Sequence, residues 1–260
     1  MIEATRTKQQ NGATLGGDTK VTECGGNNGC GTVYEITPSG TKTVLHAFQG
    51  GSDGVEPNSG VIRDRNGNLY GTSGGGNGGA NCPNGCGTVF KVAPDGTETV
   101  LYAFQAGSDG NGPVAGLLMD GTGNLYGTTI YGGGAAGCPF GPLGCGTVFK
   151  IAPDGTESVL YVFKGGSDGQ FPEGGLIADK AGNLYGTTYD GGGPSCHGAG
   201  CGTVFKLAPD GTETVLYAFG KLHYGRNPTA ALLAGKNGLL YGTASAGGSK
   251  NDGVVFSVTK

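Results

Sequence analysis

Gly175-Leu176-Ile177-Ala178-Asp179, Lys180-Ala181-Gly182-Asn183, Leu184-Tyr185-Gly186-Thr187-Thr188, Thr203-Val204-Phe205-Lys206-Leu207, Pro209-Asp210-Gly211 and Thr214-Val215-Leu216-Tyr217-Ala218-Phe219 follow one another along the chain. Four short runs rich in β-branched and aromatic residues alternate with turn residues, which is strand chemistry. Asp210-Gly211 supplies the positive φ that a hairpin turn requires. A Gly-rich loop with Cys196 and Cys201 separates the second run from the third. Four short strands with turns between them make the blade of a β-propeller. No segment sustains a 3.6-residue apolar period, so helix is expected to be nearly absent.

The unit recurs. Gly-Cys-Gly-Thr-Val begins at Gly29, Gly85, Gly144 and Gly200, in steps of 56, 59 and 56 residues, and Gly253-Val254-Val255-Phe256 is a degenerate fifth copy. Leu-Tyr-Gly-Thr begins at Leu69, Leu125, Leu184 and Leu240, with a weaker relative at Thr14-Leu15-Gly16-Gly17. Pro-Asp-Gly-Thr-Glu begins at Pro94, Pro153 and Pro209, and Pro38-Ser39-Gly40-Thr41 stands at its first position. Repetition at this period is the mark of a repeat architecture. In Val159-Leu160-Tyr161-Val162-Phe163 both alternating faces are apolar, as expected of a sheet covered on both sides. A β-solenoid is the competing reading, but its coils are usually shorter than this repeat.

The run Pro172-x-x-Gly175-Leu176-Ile177-x-Asp179-x-x-Gly182-Asn183-Leu184-Tyr185 resembles NHL-type propeller repeats. Asn-Leu-Tyr-Gly-Thr-Thr, then a Gly-rich stretch, Gly-Thr-Val-Phe-Lys and Pro-Asp-Gly-Thr-Glu, resembles the GloVer tandem repeat of bacterial choice-of-anchor surface proteins. The resemblance runs from about Gly29 to Phe256. It implies secretion, with a cell-surface anchor in longer relatives.

The resulting expectation is one all-β domain over residues 1–260, a five-bladed β-propeller of four-stranded antiparallel blades. Three blades are complete, starting near Gly60, Gly116 and Gly175. The last, starting near Ala231, lacks an outer strand. The first has its third and fourth strands at 32–37 and 43–48 and must draw its inner part from the first twenty residues. Residues 2–7 either complete that blade or add the last blade's outer strand. Four blades with extra terminal strands is the alternative.

Composition narrows the function. The 59 glycines and 12 prolines exceed a quarter of the 260 residues, a share that signals disorder when it is aperiodic; here it has a period. Charged residues are 14%, net charge is −4 and the pI is near 5.3. A mildly acidic chain without a basic run is a poor partner for nucleic acid. No apolar stretch has the length of a membrane helix, so no membrane insertion is expected. The polar opening, residues 1–10, is not a secretory signal, so any signal is expected to have been removed.

Eight cysteines form four local pairs: Cys24/Cys30, Cys82/Cys86, Cys138/Cys145 and Cys196/Cys201. Local pairing with variable spacing favours four loop-clipping disulfides in an oxidising compartment. A zinc site would need pairs from two blades to converge, and no histidine repeats beside them.

In a propeller the cysteine loops and the Gly-Ser-Asp-Gly-x-x-Pro connections share one face, where a ligand is expected. Asp53, Asp109 and Asp168 form either a carboxylate ring able to hold Ca²⁺ or a hydroxyl-rich ligand, or caps of their own Asp-Gly turns. The turn chemistry favours the second. The fourth copy reads Lys221-Leu222-His223-Tyr224-Gly225-Arg226-Asn227-Pro228 and departs from the pattern. His223, Tyr224 and Arg226 are therefore candidate binding residues, and candidate catalytic ones if the protein is a polysaccharide lyase or hydrolase. His197, held between two cysteines, joins the binding set. Tyr131, Phe140, Phe171 and Tyr189 are loop aromatics able to stack on sugars. Glu56 and Glu173 follow the repeat loosely. An Arg226–Asp168 salt bridge is a further possibility. His46 replaces Tyr102, Tyr161 and Tyr217 and reads as a packing residue. No cofactor is implied apart from the Ca²⁺ candidate. The leading expectation is a secreted, monomeric, non-catalytic binder of carbohydrate or another extracellular polymer, with the enzyme second and a ligand-free structural surface repeat third.

Overall fold

The computed structural model describes residues 30–76, 82, 85–134, 138, 143–196, 198–220 and 224–260. It is an all-β, five-bladed propeller with five separate antiparallel sheets. Blade 1 shows β1 (Thr32–Ile36) and β2 (Lys42–Ala47). Blade 2 is β3 (Ile62–Arg63), β4 (Leu69–Ser73), β5 (Thr88–Val92) and β6 (Glu98–Ala103). Blade 3 is β7 (Leu118–Met119), β8 (Leu125–Thr129), β9 (Thr147–Ile151) and β10 (Glu157–Val162). Blade 4 is β11 (Ile177–Ala178), β12 (Leu184–Thr188), β13 (Thr203–Leu207) and β14 (Glu213–Ala218). Blade 5 is β15 (Leu233–Ala234), β16 (Leu239–Ala244) and β17 (Val254–Thr259). The first sheet shows two strands and the last three, the other three having four each. Residues 2–7, and with them both closure schemes, lie outside the described residues.

The repeated motifs have packing causes. Gly71, Gly127, Gly186 and Gly242, the glycines of Leu-Tyr-Gly-Thr, pair across the sheet with Phe90, Phe149, Phe205 and Phe256. A Cβ at any of them would strike that ring. The ring then meets a phenylalanine that follows the preceding blade's outer strand. The four pairs are Phe48–Phe90, Phe104–Phe149, Phe163–Phe205 and Phe219–Phe256, with centroids 5.0–5.1 Å apart and edge-on. Phe48, Phe104, Phe163 and Phe219 are at most 2% exposed. Burying one such ring stabilises the fold by about 2–3 kcal/mol. Four apolar cores fill the four seams from blade 1 to blade 5. On the far side of blade 5, Val255 is 79% and Leu233 69% exposed, whereas the equivalent Val89, Val148 and Val204 are fully buried.

Two expectations need correcting. The inner strands β3, β7, β11 and β15 are only two residues long. The segment before them serves the seam instead: Thr72, Thr128 and Thr187 donate from their hydroxyls to the carbonyls of Ala115, Gly174 and Ala230 in the next blade. The outer strands, whose doubly apolar faces suggested complete burial, are half-buried. Full burial on both faces falls to β5, β9 and β13.

Candidate functional site

The Gly-Cys-Gly and Gly-x-x-Pro segments are built against one another. Gly87, Gly146 and Gly202, after the second cysteine, have φ of 91°, 96° and 98°. A Cβ there would meet the proline ring of the next blade, at Pro113, Pro172 and Pro228. The carbonyls of Cys30, Cys86, Cys145 and Cys201 accept the backbone N–H groups of Glu56, Gly112, Phe171 and Asn227. Those four have positive φ in every copy, including the non-glycine Glu56 (58°), Phe171 (59°) and Asn227 (55°). Their own carbonyls accept N–H groups from Gly74, Ile130, Tyr189 and Ser245, just past the second strand. Bridges Val55↔Gly75, Asn111↔Tyr131, Gln170↔Asp190 and Arg226↔Ala246 extend the contact. The clipped loops and the inter-blade connections therefore share one rim.

Disulfides join Cys82 to Cys86, Cys138 to Cys145 and Cys196 to Cys201, with Cα atoms 5.4–5.5 Å apart. Cys30 is disulfide-bonded too, while Cys24 lies outside the described residues. Among the described residues no three His, Cys, Asp or Glu side chains converge as a cation site. Neither a zinc centre nor a three-aspartate ring is assembled by them.

The aspartates turn to their own outer strands. Asp53, Asp109 and Asp168 accept the backbone N–H of Gln49, Gln105 and Lys164. Each also holds a ring of the strand before it: His46 Nε2 at 3.0 Å, the Tyr102 hydroxyl at 3.1 Å, and the Tyr161 hydroxyl. His46 packs edge-on against Phe48 and takes the tyrosine's bonding role as well. Asp168 is engaged by Tyr161 and Lys164, and Arg226 donates instead to Asn251 Oδ1 at 3.2 Å, so the expected Arg226–Asp168 bridge is not formed. Tyr224 is 61% exposed. His197, His223 and Phe140 lie outside the described residues.

A different group comes together above blades 3 to 5. Asp190, just past β12, accepts from Asn227 Nδ2 at 3.0 Å, and the same amide donates to the Tyr189 carbonyl at 3.0 Å. Gln170, 1% exposed, donates its side-chain amide to the Ala199 carbonyl at 3.4 Å and also bonds Asp190. Burial raises the Asp190 carboxyl above its ordinary range against the bonds from Asn227 and Gln170. Burial, and then the nearby Asp190 charge, raises Glu173. The Phe171 ring is 8% exposed and meets the 36%-exposed Tyr131 edge-on at 5.5 Å. The result is two half-buried carboxyl groups with raised proton affinity, amides beside them and an aromatic pair at the edge.

Tyr131, Phe171 and Glu173 stood out in the sequence, but Gln170, Asp190 and Asn227 did not. The signal for Asp190 was present: Gly75, Tyr131 and Ala246 occupy its place in the other copies.

The architecture belongs to the propellers with connecting loops gathered on one rim. Within that class, the chain is a member of the Gloeobacter/Verrucomicrobia repeat family, which it matches over residues 6–194 and 140–260. No curated protein is similar enough to match. Solved structures share the fold at low identity. A protein assigned as a gluconolactonase is 17% identical with TM-score 0.51, covering 89% of this chain and 68% of that one. A luciferin-regenerating enzyme is 15% identical with TM-score 0.51, covering 88% and 71%. The extracellular domain of a protein assigned as a hybrid two-component system of Bacteroides thetaiotaomicron is 13% identical with TM-score 0.54, covering 89% and 25%.

Proposed function

We propose that this protein is a secreted, monomeric, non-catalytic binding propeller, and that it holds a carbohydrate or another hydroxyl-rich extracellular polymer on the rim above blades 3 to 5. The observation that carries this reading is the meeting of Glu173, Asp190 and Asn227 beside the Tyr131–Phe171 pair. A ligand site typically combines apolar and aromatic surface with a few convergent polar groups. A sugar ring offers hydroxyls to carboxylates and amides and an apolar face to an aromatic. The disulfides fit an oxidising compartment.

A glycan array with the wild type, Glu173→Gln, Asp190→Asn and Tyr131→Ala tests the reading, with a reducing-sugar assay and a 235 nm assay for unsaturated product run on every ligand retained. The expected result is wild-type binding without turnover, weakened at least tenfold in each variant, a loss of about 1.4 kcal/mol or more. Equal binding by all variants overturns the site. Turnover overturns the non-catalytic role and returns the lyase or hydrolase reading.

A further inference from the structure

We propose that three carboxyl pairs built into the blade seams, Glu98 with Asp53, Glu157 with Asp109 and Glu213 with Asp168, make the ring an acid-stabilised assembly whose seams loosen as pH rises through neutrality. Each glutamate opens the outer strand of one blade: β6, β10 or β14. Each aspartate belongs to the connection arriving from the blade before, and the 3-10 turn Gly51–Asp53 packs on β6. In all three glutamates Oε1 is buried and has no hydrogen-bond partner. The aspartates are fixed by a backbone N–H and a ring group, so they do not swing away.

A protonated glutamate suits such a place, because a neutral acid sheds the desolvation cost and the repulsion together. Burial first, and the facing aspartate second, raise Glu98, Glu157 and Glu213 from 4.5 to about 7. The facing groups are Asp53, with His46 bonded to it, at the first seam and Asp109 with Tyr102 at the second. At the third they are Asp168 and Tyr161, with Lys164 opposing the shift. A folded-state pKa above the unfolded one gives stability that is complete below about pH 4.5 and drains away as pH rises through about 7. Glu173 and Asp190 act with the same sign at the rim, so the three pairs must be isolated by substitution. The lowered Asp64, Asp95, Asp120, Asp154, Asp179 and Asp210 lose their contribution only at more acid pH.

Thermal unfolding of the full, disulfide-intact chain between pH 5 and pH 8 at constant ionic strength tests this. The expected wild-type Tm falls on the order of 5 °C across that range. The Glu98→Gln, Glu157→Gln, Glu213→Gln triple variant, with a neutral donor at each seam, is expected to flatten most of the slope, and each single variant part of it. A wild-type Tm that is constant or rises from pH 5 to pH 8 overturns the proposal, as does a triple variant that keeps the wild-type slope. If the triple variant does not fold, wild-type slopes in all three single variants overturn it.

Discussion

At Gly146 the backbone sits at φ 96°, with the Thr129 and Ile130 carbonyls of its own blade and the Pro172 ring of the next against the place of a Cβ. An L-residue there meets the left-handed penalty of about 1–2 kcal/mol, a clash with the carbonyls of the preceding strand and a clash with the proline across the seam. Gly146→Ala is therefore expected to destabilise the protein by at least about 2 kcal/mol in urea unfolding. Gly121 has open space around it and no positive φ, so Gly121→Ala should leave stability unchanged or slightly raised. Equal losses at the two positions would refute the seam account of the glycine. The sequence displayed the motif, but its partner, a proline about half a repeat later, becomes visible only when two blades face each other.

The clipped loop is the element on which the rim is mounted. Cys138–Cys145 closes a short loop whose Cys145 carbonyl receives the Phe171 N–H of the next blade. Replacing both cysteines by serine is expected to cost about 2 kcal/mol by chain entropy. It should also weaken ligand binding more than the equivalent change at Cys82 and Cys86, since only the first loop adjoins Phe171. Calorimetry and the array assay measure the two effects; equal binding losses would show that the loop does not hold the site. Strand order, turn positions and cysteine pairing within blades were legible because each rests on neighbours close along the chain. The two-residue inner strands were not, because their missing ladder bonds are traded for threonine hydroxyls of another blade. Asp53, Asp109 and Asp168 read equally well as ring or turn, and the nearest N–H group and ring claim each one.

At the scale of the molecule, four equivalent seams place the described parts of the cysteine loops and of the connections between blades on one rim, and sequence divergence then makes one sector of that rim unlike the rest. In the sequence, divergence was read at the connection of the fourth copy. It drew notice to His223, Tyr224 and Arg226, whereas Asn227 is the residue that reaches Asp190. Asp190 itself lies a blade earlier in sequence, and only the seam brings the two together. The same seams carry the carboxyl pairs, so pH is expected to act on the scaffold through Glu98, Glu157 and Glu213 and on the rim through Glu173 and Asp190.

Hydrogen–deuterium exchange of the intact chain with and without a polymer taken from the array is the most direct measurement. Slowed exchange confined to residues 130–134, 170–175, 189–193 and 226–228 is the predicted footprint. Slowing at the Asp-x-x-Gly-Asn and Pro-Asp-Gly turns, with those four segments unchanged, would contradict the account.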